Sequence, residues 1–508
     1  MRVLFFVFAL LIAETSFGQS LKFKVLGQAD DTVHLVRYFG KGLYYADTAE
    51  IKNGSVEFDG TKQKQGIMAL MLPGQKLLEF IYDGEDVQIE TRLPDLMQNA
   101  KVKKSQENEI FLAYMRLMSE NSKKANVLIE QRNTLKEESE EYKALNNEID
   151  EISDAVKKYQ RNLIKNNTGK LVSKVVHLSM DIEIPDFPRD NEGNIIDSAF
   201  QYKYFKAHYW DHLDFNDDRL VRTPVFHNKL EAYFSKRYML QHWDTVIHYG
   251  FDLCDRIPKG TDMFQYTVSW ITSNYEKSKI MGMDKVFVYM GEKYYCSKDE
   301  NGESPAFWMK EGSMEKLCDK VNTNYNLVMG AVPPNISLRD TTDANWKDFY
   351  SLPNEYTILY FWDPECGHCK KVTPKLATLY DKKFKERDIE IFAVGKAVGE
   401  DFEKWKAFIN KHKMNFINVA MTDKLYEQAM KDARQFVPRY TTLESLNYQQ
   451  TYDIYATPKV FVLDKDKKII AKGITISQLE DLLDRRQGFE DSEKLFPPEE
   501  NKDEEQMH

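Results

Sequence analysis

The chain has 508 residues, more than one hydrophobic core can organise, so two to four domains of about 100 to 200 residues each are expected. With 42% hydrophobic and 13% aromatic residues it is globular. The net charge of −10 makes nucleic acid a poor partner, because phosphate binding needs clustered positive charge, and eight acids between Glu490 and His508 supply most of the excess.

Residues 1–18 read as a secretory signal peptide. One positive charge at Arg2 precedes the apolar run Val3 to Ala13, and the small residues Ser16 and Gly18 mark cleavage before Gln19. The run is well short of the ~20 apolar residues that span a bilayer. No cysteine follows it to carry a lipid, and no later segment is apolar enough to cross a membrane. An exported, periplasmic protein that does not span the membrane is expected.

Residues 19–104 carry period-two alternation in Leu21–Val25, Thr32–Val36, Ser55–Asp59, Leu77–Tyr82 and Val87–Thr91. Turn signals at Asn53-Gly54, Asp59-Gly60 and Pro73-Gly74 separate these runs. This predicts a small antiparallel β-sandwich. Its layout resembles a domain of unknown function fused ahead of redox domains in exported bacterial proteins.

Residues 105–327 are predicted to be helical. From Gln106 to Lys165 there is no Gly or Pro, and Tyr142, Leu145, Ile149, Ile152, Val156, Tyr159 and Leu163 alternate at spacings of three and four. One long amphipathic helix or a helical hairpin follows, its seam packing on its own domain or pairing two copies through residues 128–163. Aromatic stripes such as Phe200 to Trp210 read as core, with a binding groove as the alternative. His208 and His212 have the pitch of a metal-binding pair, but Tyr209 stands where an HExxH site has glutamate and spacing marks no third ligand, so no metal is expected. His242 and His248 do not share a helical face. The widely separated Cys254, Cys296 and Cys318 are expected to be buried and inert, with one disulfide and one remaining thiol as the alternative. Gly330 to Asn335, with Pro333-Pro334, marks the clearest domain boundary.

Residues 328–488 carry the chemistry. Tyr356 to Trp362 is a continuous apolar β-former of the kind buried on both faces of a sheet. Cys366-Gly367-His368-Cys369 then opens a helical pattern. A cysteine at a helix N-terminus meets free N–H groups and the positive end of the dipole, which favour the thiolate, the form that attacks disulfides. Cys366 is the expected attacking sulfur, and Cys369, one turn on, resolves the mixed disulfide. His368 adds charge or dipole beside the thiolate and should make the disulfide a better oxidant. A CxxC also occurs as half a zinc site, but no second pair of ligands is placed to complete one.

The residues around the motif resemble the thioredoxin superfamily, specifically its TlpA/ResA-like exported branch. Phe361-Trp362 precede the motif, Lys370 follows it, Pro374 holds the kink position, and Tyr455-Ala-Thr-Pro458 leads into Lys459 to Leu463 as the family's cis-proline loop does. The resemblance implies an α/β thioredoxin-like fold with Thr457, Pro458 and Trp362 contacting bound polypeptide. It implies thiol:disulfide oxidoreductase activity on exported proteins, no cofactor, and a redox partner protein that resets the cysteines. Two departures stand out. Tyr360 occupies the place of the buried carboxylate beneath the cysteines, and Val372 that of a glutamate after the second cysteine, which leaves Glu365, adjacent to the motif, as the candidate for deprotonating Cys369, with a solvated turn carboxylate as the alternative. A thiol peroxidase of the same fold, and a binding or scaffold protein with an auxiliary redox domain, are the competing functions. Residues 489–508 are expected to be an acidic disordered tail.

Overall fold

The computed structural model describes residues 19–399 and 401–496. The expected signal peptide therefore lies outside the described residues, as does the chain after Phe496.

The first strands are β1 (Ser20–Leu26), β2 (Asp31–Phe39), β3 (Gly42–Ile51), β4 (Ser55–Asp59), β5 (Gly66–Leu72), β6 (Lys76–Tyr82), β7 (Val87–Arg92) and β8 (Lys101–Lys104). They form two four-stranded sheets, β4-β1-β7-β8 and β3-β2-β5-β6. Alternate side chains, among them Leu21, Phe23 and Val25, are buried, which is what places polar and apolar residues by turns along these strands. One pairing corrects the all-antiparallel expectation: β1 runs parallel to β7, with Leu21 opposite Val87. Alternation reports which face is buried and is blind to strand direction.

A helical hairpin follows, α1 (Gln106–Arg132) and α2 (Glu140–Asn166), then α3 (Leu171–Ser179), α4 (Phe200–His208), α5 (Pro224–Phe234), α6 (Trp243–Arg256), α7 (Asp262–Glu276), α8 (Asp284–Gly291) and α9 (Glu311–Tyr325). Ser139 caps α2 by accepting from the Tyr142 N–H, and Glu140 and Glu141 sit against the positive end of its dipole. The α2 seam faces α1, with Arg132 donating to Asn146 at 3.0 Å, and is only half-buried except at Leu163. Asn108 of α1 is wholly buried and bonds both the N–H and the carbonyl of Ile81 in β6, at 2.8 and 2.7 Å. Trp210 is core, whereas Tyr202, Phe205, Tyr209 and Tyr238 line a cavity of about 600 Å³ with Leu178 and Lys229, so the aromatic stripe divides between the two roles.

Packing divides the chain into two units. One is the chain up to Met239 with Leu253–Thr267; the other is Leu240–Asp252 with Val268 onward. The expected boundaries at 104/105 and 327/328 thus both fall inside a unit. In the second, Lys472 donates to the Leu327 carbonyl at 2.5 Å, tying the end of the helical region to the sheet. The Gly330 to Asn335 segment is equally engaged: the Gly330 N–H donates to Ile469, and the Ile469 N–H to Ala331, both at 2.8 Å.

The sheet of the second unit comprises β9 (Ser337–Asp340), β10 (Trp346–Asp348), β11 (Tyr356–Trp362), β12 (Ile389–Gly395), β13 (Ile417–Ala420), β14 (Lys459–Leu463) and β15 (Ile469–Lys472). Their order is β10-β9-β13-β12-β11-β14-β15, with β11, β12 and β13 parallel and β14 antiparallel to β11. The helices α10 (Gly367–Leu379), α11 (Asp401–Lys411), α12 (Asp423–Asp432), α13 (Leu443–Leu446), α14 (Tyr448–Thr451) and α15 (Ile476–Arg486) connect and follow these strands. Every residue of β11 is buried: Ile358, Tyr360 and Trp362 join one core cluster with Cys369 and Leu376, while Leu359 and Phe361 join the other.

Two sequence expectations are overturned here. Cys296 and Cys318 form a disulfide, so only Cys254 is a buried free thiol of the three. The packing of α9 against the helical turn that ends at Cys296 brings the two sulfurs together, a tertiary contact that spacing does not reveal. The acidic tail does not begin at residue 489 either. Through Phe496 the chain is held on α15, because the buried carboxylates Glu480 and Asp484 take its N–H groups and a lysine.

Candidate functional site

β11 ends at Trp362, and a turn over residues 363–366 hands the chain to α10. The Cys366 N–H donates to the Asp363 carbonyl at 3.2 Å, and the Cys366 carbonyl accepts the Lys370 N–H at 3.0 Å as the first helical bond. Cys366 is the N-cap of α10 in extended conformation, half-buried, whereas Cys369 has no exposure at all. Both are reduced. The Cys366 thiol lies 3.2 Å from the Thr457 carbonyl, and Thr457-Pro458 is a cis peptide at the mouth of β14, where Lys459 pairs with Phe361. Strand pairing therefore sets the loop against the sulfurs.

The two sulfurs titrate in opposite directions. Burial pushes the Cys366 thiol up, but the N–H groups of Cys369 and His368, the Thr457 side chain and the Cys369 thiol more than offset it, so Cys366 lies below an ordinary cysteine. Burial dominates at Cys369 and pushes it up to about 11, with the hydrogen bond and charge of Cys366 adding to the rise. The arrangement can present one nucleophilic thiolate to solvent and keep a second, protonated sulfur behind it.

Of the residues expected at this site, Cys366, Cys369, Gly367, His368, Thr457 and Pro458 are brought together at the α10 N-terminus and the loop before β14. Gly367 and His368 are exposed. Trp362 is not available to a bound polypeptide: it is 1% exposed, packed against Phe408 at 5.1 Å between ring centres. Its strand is covered on both faces, so the side chain points into the core. Tyr360, standing where a carboxylate was expected, is buried with its hydroxyl 2.7 Å from Thr373 of α10. Glu365 is half-exposed and faces Lys370 and Lys404 at 3.7 and 3.8 Å, on the outside of the turn.

Sequence reasoning missed the surroundings of the motif. Lys396 donates its N–H to the Trp362 carbonyl at 3.0 Å and pairs with Asp363 and Asp401 at 3.5 and 3.1 Å, which fixes the turn that carries Cys366. A groove of about 710 Å³ opens beside His368 and Pro458, lined also by Val372, Ile474 and Phe496. Its walls come from α10, the β15–α15 turn and the chain after α15, segments far apart in sequence.

Among the described residues no group of three or more His, Cys, Asp or Glu side chains is placed to hold a metal ion. His208 bonds Asp211 at 2.7 Å, and His212 stacks on His177 with ring centres 4.1 Å apart. Among them too, no helix is long and apolar enough to cross a membrane.

Residues 354–469 match the thioredoxin-like family model. Residues 20–111 and 132–304 match two domains of unknown function, DUF4369 and DUF5106. No curated protein matches the chain. Among solved structures it is similar to a domain of a possible thiol-disulfide isomerase from Cytophaga hutchinsonii, at 34% identity over 32% of this chain and 97% of that one, with a TM-score of 0.26. It is also similar to the thioredoxin domain of a thiol-disulfide oxidoreductase from Bacteroides vulgatus, at 23% identity over 31% of this chain and 97% of that one, with a TM-score of 0.25. A thioredoxin-like protein from Bacteroides caccae is 16% identical over 60% of this chain and 98% of its own, with a TM-score of 0.40.

Proposed function

Because the chain belongs to the thioredoxin-like family through its C-terminal domain, we propose that it is a thiol:disulfide oxidoreductase acting on exported proteins through Cys366 and Cys369. The observation that carries this reading is the half-buried Cys366 sulfur at a helix N-terminus, 3.2 Å from the Thr457 carbonyl, with Cys369 buried behind it.

In the reducing direction the Cys366 thiolate attacks one sulfur of a substrate disulfide. A mixed disulfide forms and the other substrate sulfur leaves as a thiolate, which takes up a proton. Cys369, having given up its proton, then attacks Cys366 within the mixed disulfide, expelling the second substrate sulfur as a thiolate that takes up a proton from solvent and leaving the Cys366–Cys369 disulfide. Two electrons pass to the substrate, and a dithiol redox partner protein returns them. Oxidation of a client dithiol is the same sequence reversed. The Thr457-Pro458 loop supplies backbone groups against which an extended substrate can lie, and no cofactor is required. His368, exposed beside the thiolate, favours the dithiol form and so a more oxidising couple.

Location in the periplasm is part of the proposal. The apolar N-terminal run supports it, and the Cys296–Cys318 disulfide fits an oxidising compartment. The α2 seam packs on α1 of the same chain, so pairing of two copies through residues 128–163 would need a different side of this hairpin, and sedimentation of the protein at micromolar concentration tests that assembly.

Insulin reduction by the full chain, compared with Cys366→Ala and Cys369→Ala, tests the activity. Loss in the first variant and accumulation of a mixed disulfide in the second are expected. Undiminished turnover in both would end the reading.

A further inference from the structure

The chain does not leave the domain at the end of α15. The N–H groups of Leu495 and Phe496 donate to the two carboxylate oxygens of Glu480 at 2.8 and 3.1 Å, and Lys494 pairs with Asp484 at 2.8 Å. Both carboxylates are fully buried. Lys383 spans them, 2.6 Å from Glu480 and 3.3 Å from Asp484, and also donates to the Glu493 carbonyl at 2.7 Å. Buried charges are retained only where each has partners, and here strap residues complete partner sets that Lys383 and, at 2.6 Å from Asp484, Arg387 begin. The strap is thus pinned at successive residues, and its last described member, Phe496, lines the groove that begins at His368 and Pro458.

That groove is apolar within, at Val372, Ile474 and Phe496, and exposed lysines, Lys371 and Lys375, line it from α10. In an extended peptide residues i and i+2 project on the same face, about 6.6 Å apart. His368, two residues after Cys366, and Pro458, next to the Thr457 that faces the Cys366 sulfur at 3.2 Å, line this groove, so a peptide bonded at Cys366 lies at its mouth.

Resting on the exchange reaction proposed above, we propose that the strap is a specificity device. Held by Glu480, Phe496 forms a fixed wall that selects polypeptides carrying an apolar side chain two positions from the reacting cysteine, with carboxylates beyond it. Apolar contact with the wall and charge complementarity with the two lysines recognise this substrate class, and serine or lysine at those positions forfeits both.

The test uses the full chain and two disulfide-linked peptides. One has leucine two positions after its cysteine followed by two glutamates, the other serine followed by two lysines, and hydroxyethyl disulfide serves as a substrate too small to reach the groove. The acidic-apolar peptide is expected to have a KM roughly tenfold lower. Phe496→Ala should raise that KM about fivefold with kcat within twofold and hydroxyethyl disulfide turnover unchanged. Glu480→Gln, which weakens the anchor, should move KM in the same direction, but Phe496→Ala decides because its side chain is only partly buried. Equal KM values for the two peptides, an unchanged KM in Phe496→Ala, or a parallel loss with hydroxyethyl disulfide would each overturn the inference. Absence of turnover on every substrate would instead sink the exchange reading. Binding of the acidic-apolar peptide with serine in place of its cysteine, followed by fluorescence anisotropy in wild type and Phe496→Ala, then decides the groove by itself.

Discussion

Reduced protein treated with iodoacetamide at pH 7 should lose Cys366 well before Cys369, by a margin set by how differently the fold treats the two sulfurs. Only the thiolate reacts. With Cys369 pushed up to about 11, roughly one molecule in 10,000 carries its thiolate at pH 7. An ordinary cysteine at 9.0 would be ionised in about one molecule in 100, and Cys366 lies below that value. The ratio of thiolate populations therefore exceeds about 100, and the zero exposure of Cys369 against the half-exposure of Cys366 widens it in the rates. The assay is quenched-flow alkylation from pH 4 to 10, with the modified cysteine identified by peptide mass. The midpoint for Cys366 should fall below that of a free cysteine in the same buffer. Modification of Cys369 first, a rate ratio under about ten, or a Cys366 midpoint above the free thiol would refute the reasoning, because each would mean that the α10 N-terminus does not hold the anion.

Replacing Cys366 by serine removes the hydrogen bond and charge that raise Cys369, so the Cys369 midpoint in the same assay should drop below about 11; an unchanged midpoint would assign the whole rise to burial. Asp484 is pushed up by burial, but hydrogen bonds from Lys494, Arg387 and Ser492 and the charge of Lys383 bring it down to about 2. A carboxyl lowered by folding stabilises above its ordinary value and loses that contribution as pH falls toward about 2. Unfolding free energy should thus fall by about 2 kcal/mol between pH 5 and pH 2, with a shallower fall in Asp484→Asn, read by urea titration. Replacing Cys296 and Cys318 together by serine opens a loop of 22 residues and should cost about 3 kcal/mol by loop entropy, measured as a drop in the denaturation midpoint while insulin reduction persists.

The residues that disclosed their role in the sequence are those whose environment is set locally. The buried run of β11, the cysteine at the start of α10 and the Thr-Pro before β14 are each written within seven residues, and packing only brings them together. β3 escaped because it is largely exposed on both faces, with Tyr44 and Tyr45 at 53% and 69%, so no alternation marks it. β5 escaped for the opposite reason, being buried on nearly every residue. Trp362 was misassigned because the resemblance attached it to substrate while its own strand pattern already implied burial. The strap was hidden by composition. Its acids read as a solvated tail, and the partners that hold it, Lys383 just after α10 and Glu480 and Asp484 on α15, lie about 100 residues apart in sequence.

Tyr360 rather than a carboxylate lies beneath the cysteines, which raises the question of how a thiol held near 11 is deprotonated at all. Tyr360 does not answer it, since its hydroxyl is bonded to Thr373 and is itself pushed far up by burial. Glu365 faces lysines on the outer side of the turn. The causes of the rise at Cys369 point to the reaction cycle itself. Burial comes first, but the hydrogen bond and the charge of Cys366 both add to it, and both belong to the reduced resting state. Once Cys366 is bonded to a substrate sulfur its charge is gone, while the Asp363 backbone and Thr457 still favour a Cys369 thiolate. In the proposed exchange, formation of the mixed disulfide would therefore ease ionisation of the sulfur that resolves it. The leaving substrate thiolate, generated beside the loop at that moment, is a base able to accept the proton. On this scheme the two sulfurs are not both ionised at once, so a buried site with no carboxylate can still run both steps of exchange.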